Sequence, residues 1–104
     1  LIKNDEKQKA LKLLENIIKK NPDNIEANAL IAELYYNFEN YEKAIQYYKK
    51  LASLTKNNEY NFKIGICYRT FLEDNDAAKY YFKIYLQGKG KNSDKARELL
   101  QSIE

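Results

Sequence analysis

The chain repeats its chemistry every 34 residues, and this period restricts the fold more than any other feature of the sequence. Five columns of like residues share the step. They hold Ala10, Ala44 and Ala78; Leu14, Tyr48 and Phe82; Ile17, Leu51 and Tyr85; Ile18, Ala52 and Leu86; and Asn24, Asn58 and Asn92. A fixed period of roughly 20–50 residues is typical of arrays in which each unit is one supersecondary element that stacks on the next.

Each unit predicts a pair of antiparallel helices. Ala44, Tyr48, Leu51 and Ala52 follow the spacing i, i+4, i+7, i+8, which places them on one face of a helix. A second apolar stripe precedes this helix and recurs at steps of three and four: Ala27, Leu30, Ile31, Leu34, Tyr35 and Phe38. The short stretch 37–41 separates the two, with Asn40 as the predicted N-cap. One unit is therefore a helix, a tight turn and a second helix.

The remaining boundary signals extend this pattern to the whole chain. Pro22 cannot continue a helix, and Asp23 with Glu26 has the spacing of a capping box. Glycines 88 and 90 end a later helix. We predict an all-α fold of six helices at about 4–20, 25–38, 41–55, 59–72, 75–87 and 93–103, with ends uncertain by about two to four residues.

The composition excludes several classes of function. Hydrophobic residues make up 44% of the chain and charged residues 32%, a balance typical of folded globular proteins. No histidine is present for acid–base or metal chemistry, and Cys67 is the single cysteine, predicted to be a buried apolar filler. We predict no catalytic, cofactor or metal site.

The charge and hydropathy pattern bears on partners and location. The net charge of +3 comes from interleaved basic and acidic residues, which form a solvated surface and do not indicate nucleic-acid binding. No apolar run reaches the roughly 20 residues of a membrane-spanning helix. No signal peptide is visible, and one cysteine fits a reducing or an oxidising compartment. The compartment stays unknown, with the cytoplasm slightly favoured.

The segment 25–58 resembles the tetratricopeptide repeat, whose motif is W-x2-L-G-x2-Y followed by A-x3-F and A-x4-P. The matching residues are Ile31 and Ala32 for the L-G pair, Tyr35 for the tyrosine, Tyr41 and Ala44 at the turn and second helix, and Tyr48 for its aromatic. The departures are Asn28, Leu51 and Lys56 for tryptophan, alanine and proline, and Glu39 where a turn glycine is usual.

The resemblance implies an α-solenoid of antiparallel helical hairpins wound into a right-handed superhelix. Residues 1–24 correspond to a partial first repeat, 25–58 to a second repeat, 59–92 to a third and 93–104 to a capping helix. Ala96, Leu99, Leu100 and Ile103 are expected to form the inner face of the last helix. Residues 1–24 correspond to the end of a first helix and a full second helix, and the missing partner helix suggests that the parent protein continues upstream.

The third unit leaves its register open. Ile64, Gly65 and Tyr68 match the L-G-x2-Y motif one residue earlier than a strict 34-residue step, so the loop Leu72–Asp76 is expected to hold an extra residue. In this register Phe62 and Ile66 lie opposite the main apolar face of their helix. They either pack on a neighbouring helix, which is the favoured interpretation, or face the groove.

In the tetratricopeptide family the first helix of each hairpin lines a concave groove that binds extended peptides or helices of partner proteins. Carried over by position, the candidate groove residues are Glu26, Ala29, Glu33, Tyr36 and Asn37 in the second unit and Phe62, Ile66, Arg69 and Thr70 in the third. Because the second unit presents glutamates, a basic or mixed partner segment is expected, and a lysine–asparagine clamp for a C-terminal carboxylate is not.

The resemblance therefore predicts a non-catalytic protein-interaction module whose partner is a protein or peptide. Two alternatives stay open. In the first, the array is a structural spacer between other parts of the protein. In the second, the array self-associates through the apolar face of its first helix, formed by Leu11, Leu14, Ile17 and Ile18.

Overall fold

Residues 4–104 are described by a computed structural model, and they form six helices joined by short turns. The helices are α1 (Asn4–Lys20), α2 (Ile25–Asn37), α3 (Tyr41–Thr55), α4 (Glu59–Ile66), α5 (Asn75–Gln87) and α6 (Ser93–Ile103), and α4 runs directly into a π-helical turn, Cys67–Phe71. No strand occurs in this range. The first three residues of the predicted partial repeat lie outside the described residues.

The helix starts reproduce the sequence period. Helices α2, α4 and α6 begin at residues 25, 59 and 93, and α3 and α5 begin at 41 and 75, all at steps of 34. Each helix packs mainly on its neighbours in the chain. The molecule measures 41 × 26 × 20 Å with a radius of gyration of 14.5 Å, against about 13 Å for a compact domain of 100 residues. This elongated stack of hairpins is an α-solenoid.

Polar caps fix where the helices begin. The Asn24 side chain accepts a hydrogen bond of 2.9 Å from the backbone N–H of Ala27, and Asn40 and Asp74 each accept from the N–H three residues further on. The predicted cap at Asn40 is confirmed. The predicted capping by Asp23 is wrong by one residue, because Asn24 provides the oxygen.

The turns inside the two complete hairpins share an unusual backbone. Glu39 and Glu73, 34 residues apart, have φ angles of 65° and 53°. This left-handed conformation reverses the chain in a short space and favours glycine, because a Cβ crowds the following carbonyl. The position at which the repeat motif usually carries glycine is therefore occupied here by glutamate at a conformational cost.

The extra residue of the third unit lies in the π-helical turn and not in the following loop. The N–H of Leu72 donates to the carbonyl of Cys67, five residues back, at 3.0 Å. The connections 38–40 and 72–74 have equal length. The expected insertion in Leu72–Asp76 is therefore wrong, because a π-helical turn takes up one residue without breaking the helix.

Burial confirms the early register of α4. Ile64 and Gly65 are buried as Ile31 and Ala32 are, 33 residues earlier. A Cβ on Gly65 would lie 2.6 Å from the nearest ring atom of Phe82. The small residue of the motif at position 65 thus leaves room for the Phe82 ring of α5 against α4.

Two apolar clusters make up most of the core. The first joins α2, α3 and α4 with the π-helical turn: Ala32, Ala44, Ile45, Tyr48, Leu51, Ile64 and Cys67. The second joins α5 and α6: Ala78, Phe82, Tyr85 and Ala96, with Leu99, Leu100 and Ile103 packed against it. The predicted inner face of α6 and the predicted burial of Cys67 are confirmed.

Helix α1 packs on α2 but leaves part of its apolar surface open. Leu11 is buried, whereas the side chains of Leu13 and Ile17 are 65% and 44% exposed. Of the four residues predicted to form an open apolar face on this helix, Ile17 is exposed, and Leu13 was not among them. Within the described residues, no helix combines the length and apolar character needed to cross a bilayer.

Candidate binding groove

One cavity is lined by residues of α2, α4, α6 and the turn before α6. Its volume is about 590 Å³, within the usual range of roughly 300–1,000 Å³ for ligand pockets. The lining residues are Tyr36 of α2; Glu59, Phe62, Lys63 and Ile66 of α4; Lys91 and Asn92 of the turn before α6; and Lys95 of α6. We call this the larger cavity.

The floor of the larger cavity is apolar and rests on the core. Phe62 and Ile66 are one helical turn apart and half-buried against the α5–α6 cluster. The Phe62 ring lies 5.3 Å from that of Tyr85 and 6.1 Å from that of Phe82, measured between centroids. Phe62 and Ile66 therefore combine the two alternatives left open by the sequence: each packs on a neighbouring helix and also lines the cavity.

An aromatic cluster holds the third floor residue, Tyr36. Its ring meets the rings of Tyr41 and Phe71 edge-on at 5.5 and 5.8 Å, and those two rings stack on each other at 4.0 Å. Phe71 is the last residue of the π-helical turn. Burial, then the neighbouring Cys67 and Tyr41, raise the pKa of Tyr36. Its hydroxyl therefore stays protonated and can donate a hydrogen bond at neutral pH.

Glu59 fixes the rim of the cavity nearest α6. Its carboxylate accepts hydrogen bonds from the Tyr85 hydroxyl at 2.7 Å, the Asn92 amide at 2.8 Å and the Lys91 N–H at 3.2 Å. The Asn92 N–H in turn donates to the Tyr85 hydroxyl at 2.9 Å. A Cβ at Gly90 would collide with that hydroxyl. This network ties the start of α4 to the end of α5 and to the turn that leads into α6.

The same network controls the protonation of Glu59. Burial alone would raise the pKa of this carboxyl group. The hydrogen bonds from Tyr85, Asn92 and the backbone of Lys91, with the charge of Lys91, outweigh burial and hold the pKa below its usual value. Glu59 is therefore ionised at neutral pH, and both its oxygens already accept hydrogen bonds.

Three lysines give the rim its charge. Within residues 4–104 the two ion pairs are Lys83–Glu104 and Arg97–Asp94, so Lys63, Lys91 and Lys95 make none with a described residue. The Lys63 ammonium lies 5.9 Å from the centre of the Tyr48 ring. The rim thus combines three ammonium groups with one carboxylate that is already hydrogen-bonded.

A smaller cavity of about 150 Å³ adjoins the larger one and shares Lys63 with it. Its lining comes from α2, α3 and α4: Ala29, Leu30, Glu33, Tyr48, Tyr60 and Lys63. Lys63 lines both, and we call the two cavities together the groove. Among residues 4–104 no three or more His, Cys, Asp or Glu side chains form a cluster able to hold a metal ion.

Residues 1–61, more than half of the chain, match the sequence model of the tetratricopeptide repeat. The chain belongs to the tetratricopeptide repeat family. Members of this family are generally non-catalytic modules that bind other proteins, and stacked repeats of this kind create extended concave binding surfaces. The chain has no match among curated proteins.

The tetratricopeptide register brings five of the nine candidate residues into the groove. Tyr36, Phe62 and Ile66 line the larger cavity. Ala29 and Glu33 line the smaller one. The other four line neither cavity: Glu26, Asn37, Arg69 and Thr70.

Arg69 shows why register alone does not place a side chain. Its Nε atom is buried and has no hydrogen-bond partner among the described residues. It occupies the π-helical turn, Cys67–Phe71, which the helical spacing of the sequence does not predict. A π-helical turn contains more residues than an α-helical turn. A residue placed by analogy with a regular repeat helix therefore points in a different direction there.

Sequence reasoning missed the basic part of the groove. Lys63, Lys91 and Lys95 were not among the candidates, and Leu30 was assigned to the packed stripe of α2 although its side chain is 55% exposed. One usable signal was present, since Lys91 and Lys95 stand four residues apart across the start of α6. The apolar face of α6 predicts a cap for the core, and it does not indicate that the start of this helix lines a cavity.

Proposed function

We propose that this tetratricopeptide segment is a non-catalytic interaction module that binds a peptide or helix of a partner protein in the groove. The observation that carries the proposal is the larger cavity itself, which opens on the face of α2, α4 and α6 and has an apolar floor. Apolar pockets with a few convergent polar groups are typical binding sites. The floor residues Phe62, Ile66 and Tyr36 are already held by packing, so little ordering is needed on binding.

We also propose that the repeats divide at residues 24, 58 and 92, giving a partial first repeat at 1–24, a second at 25–58, a third at 59–92 and a capping helix at 93–104. The helix starts at Ile25, Glu59 and Ser93 support these divisions. On this division the groove is built by two repeats and the capping helix together.

Peptide selection with chemical-shift mapping tests the proposed binding. Peptides selected from a displayed random library by the purified domain would be titrated into the isotopically labelled domain. We expect the largest amide shift changes on the first-helix face, around Tyr36, Phe62 and Ile66. Changes centred on α3 and α5 would contradict the groove, and failure to select any peptide would favour a structural spacer.

A pair of bulky substitutions supplies the matched control. Ile66→Trp adds volume inside the larger cavity, so it should weaken binding of the selected peptides. Tyr80→Trp makes a similar change on α5, where the side chain is 61% exposed, and should leave binding unchanged. Circular dichroism of both variants checks that the helices persist.

One observation favours a second function, self-association. Leu13 and Ile17 are four residues apart on α1 and both are substantially exposed, as an interaction surface would be. Sedimentation equilibrium should then show a mass that rises with concentration and that falls to the monomer in Leu13→Ser/Ile17→Ser. A monomer mass at all concentrations rules this function out for the segment.

A further inference from the structure

The groove is not uniform in charge, and its basic end is built by three separate elements. Lys63 comes from α4, Lys91 from the turn after α5, and Lys95 from α6. The hydrogen-bond network of Glu59 fixes that turn against α4, so the backbone that carries Lys91 is held in place. Ammonium groups brought together by the fold from different elements repel one another, and a bound anion would relieve that repulsion.

The one carboxylate among the lining residues does not neutralise this end. Glu59 accepts three hydrogen bonds, from Tyr85, Asn92 and the Lys91 N–H. Its charge offsets one lysine, which leaves an excess of two positive charges around the larger cavity. The other glutamate of the groove, Glu33, lines the smaller cavity and not the larger one.

The apolar floor sets a second requirement on any occupant. Phe62, Ile66 and Tyr36 line the same space of about 590 Å³ as the three lysines. This space is too large and too apolar for a carboxylate or a small anion alone. An occupant that satisfies both parts places an aromatic or aliphatic side chain on the floor and a carboxylate at the rim. Such a pair is available from neighbouring residues of one peptide.

We infer, resting on the proposed groove function, that the partner segment is acidic: an internal stretch with aspartate or glutamate beside a large apolar residue, its carboxylates facing Lys63, Lys91 and Lys95. This differs from the basic or mixed partner segment expected from the glutamates of the second unit. Those glutamates lie on α2, whereas the larger cavity takes its charge from α4, the turn and α6. Charge complementarity at the rim contributes to specificity and to the rate of association.

The test uses short peptides with acetylated and amidated ends, so that no terminal carboxylate can contribute. Each acidic–apolar peptide has a twin in which aspartate and glutamate are replaced by asparagine and glutamine. Fluorescence anisotropy measures the dissociation constants of both. We expect the amide twin to bind about tenfold more weakly, since two or three exposed ion pairs are lost. The difference should shrink near 1 M salt, where the Debye length is about 3 Å.

Two neutralised variants of equal net charge locate the effect. Lys91→Gln/Lys95→Gln removes two rim charges and should bind acidic and amide twins alike. Lys19→Gln/Lys43→Gln removes two charges that lie outside the groove, and the preference for the acidic twin should persist. Binding to the wild-type domain that is equal for both twins, or an acidic preference that survives loss of Lys91 and Lys95, overturns the inference.

The outcomes separate this inference from the function on which it rests. If peptides bind, lose affinity in Ile66→Trp and show no preference for carboxylates, the groove function stands and the acidic partner is wrong. If the wild-type domain selects mainly lysine- or arginine-rich peptides that bind in the groove, the groove function likewise stands and the acidic partner is wrong. If no peptide of any charge binds, both proposals fail.

Discussion

Replacing Gly65 by alanine should destabilise this protein, although alanine is the better helix former. Gly65 lies inside α4 and is buried. A Cβ there would lie 2.6, 2.8 and 3.1 Å from three atoms of the Phe82 ring, far inside the roughly 3.5–4.0 Å at which carbon atoms attract. Phe82 is itself fully buried and its ring packs near Phe62, so it has little room to retreat.

Two opposing free energies decide the size of the effect. Alanine in place of glycine in a helix interior stabilises folding by about 1 kcal/mol. Overpacking a filled core costs about 1–3 kcal/mol, and a contact this short belongs near the upper end. The expected net loss is about 2 kcal/mol, which for a domain of this length lowers the melting temperature by roughly 8–16 °C.

Urea denaturation followed by circular dichroism measures this loss, and a double-mutant cycle with Phe82→Leu tests its cause. Leucine shortens the side chain that the new methyl group would strike, so the double variant should recover about 1–2 kcal/mol relative to the sum of the single changes. Ala32→Gly at the matching position of α2 serves as a control for helix propensity, with a loss of at least about 1 kcal/mol. Gly65→Ala as stable as the wild type, or additive single changes, would refute the steric argument.

Three further predictions follow from individual side chains. The pKa of Glu59 in the folded protein lies below its ordinary value of 4.5. The ionised carboxylate therefore stabilises the fold above pH 4.5, and this stabilisation is lost as the pH falls through the folded-state pKa. In Glu59→Gln the urea midpoint should therefore decline less steeply in acid than in the wild type. Burial raises the pKa of Cys67 to about 11 from 9.0, so a thiol reagent at pH 8 should modify the folded protein only as fast as it opens, and rapid labelling would contradict this burial. Glu39→Gly should raise the free energy of unfolding by about 0.5–1 kcal/mol by relieving the left-handed backbone at φ 65°, whereas Glu42→Gly inside α3 should lower it by up to about 1 kcal/mol.

The sequence was sufficient for the helices and their order. The predicted ends of all six agree with the structure to within one residue, counting the π-helical turn with α4. The reason is that the determinants are local: apolar stripes at helical spacing, polar caps such as Asn40, and Pro22 between two helices. The 34-residue period then implied stacking, because a single hairpin cannot bury its own apolar stripe.

The groove could be predicted only in part from the same information. Tyr36, Phe62 and Ile66 follow from the positions of first helices in a repeat and do line the larger cavity. The lysines at its rim did not follow, because Lys91 and Lys95 line the larger cavity only once the turn before α6 is placed against α4. The hydrogen bond from Asn92 to Glu59, 33 residues away along the chain, is one of the contacts that join the two.

The π-helical turn shows the same limit within a single helix. The sequence revealed that one residue had to be accommodated near the end of α4, but either the helix or the following loop could have taken it. Tertiary packing decided: Asp74 caps α5 in register with Asn40, and Phe71 stacks on Tyr41 of the preceding hairpin. Helix type and order are thus set by neighbours in the chain, whereas the shape and charge of the groove depend on contacts between residues about 30 positions apart, which no local pattern encodes.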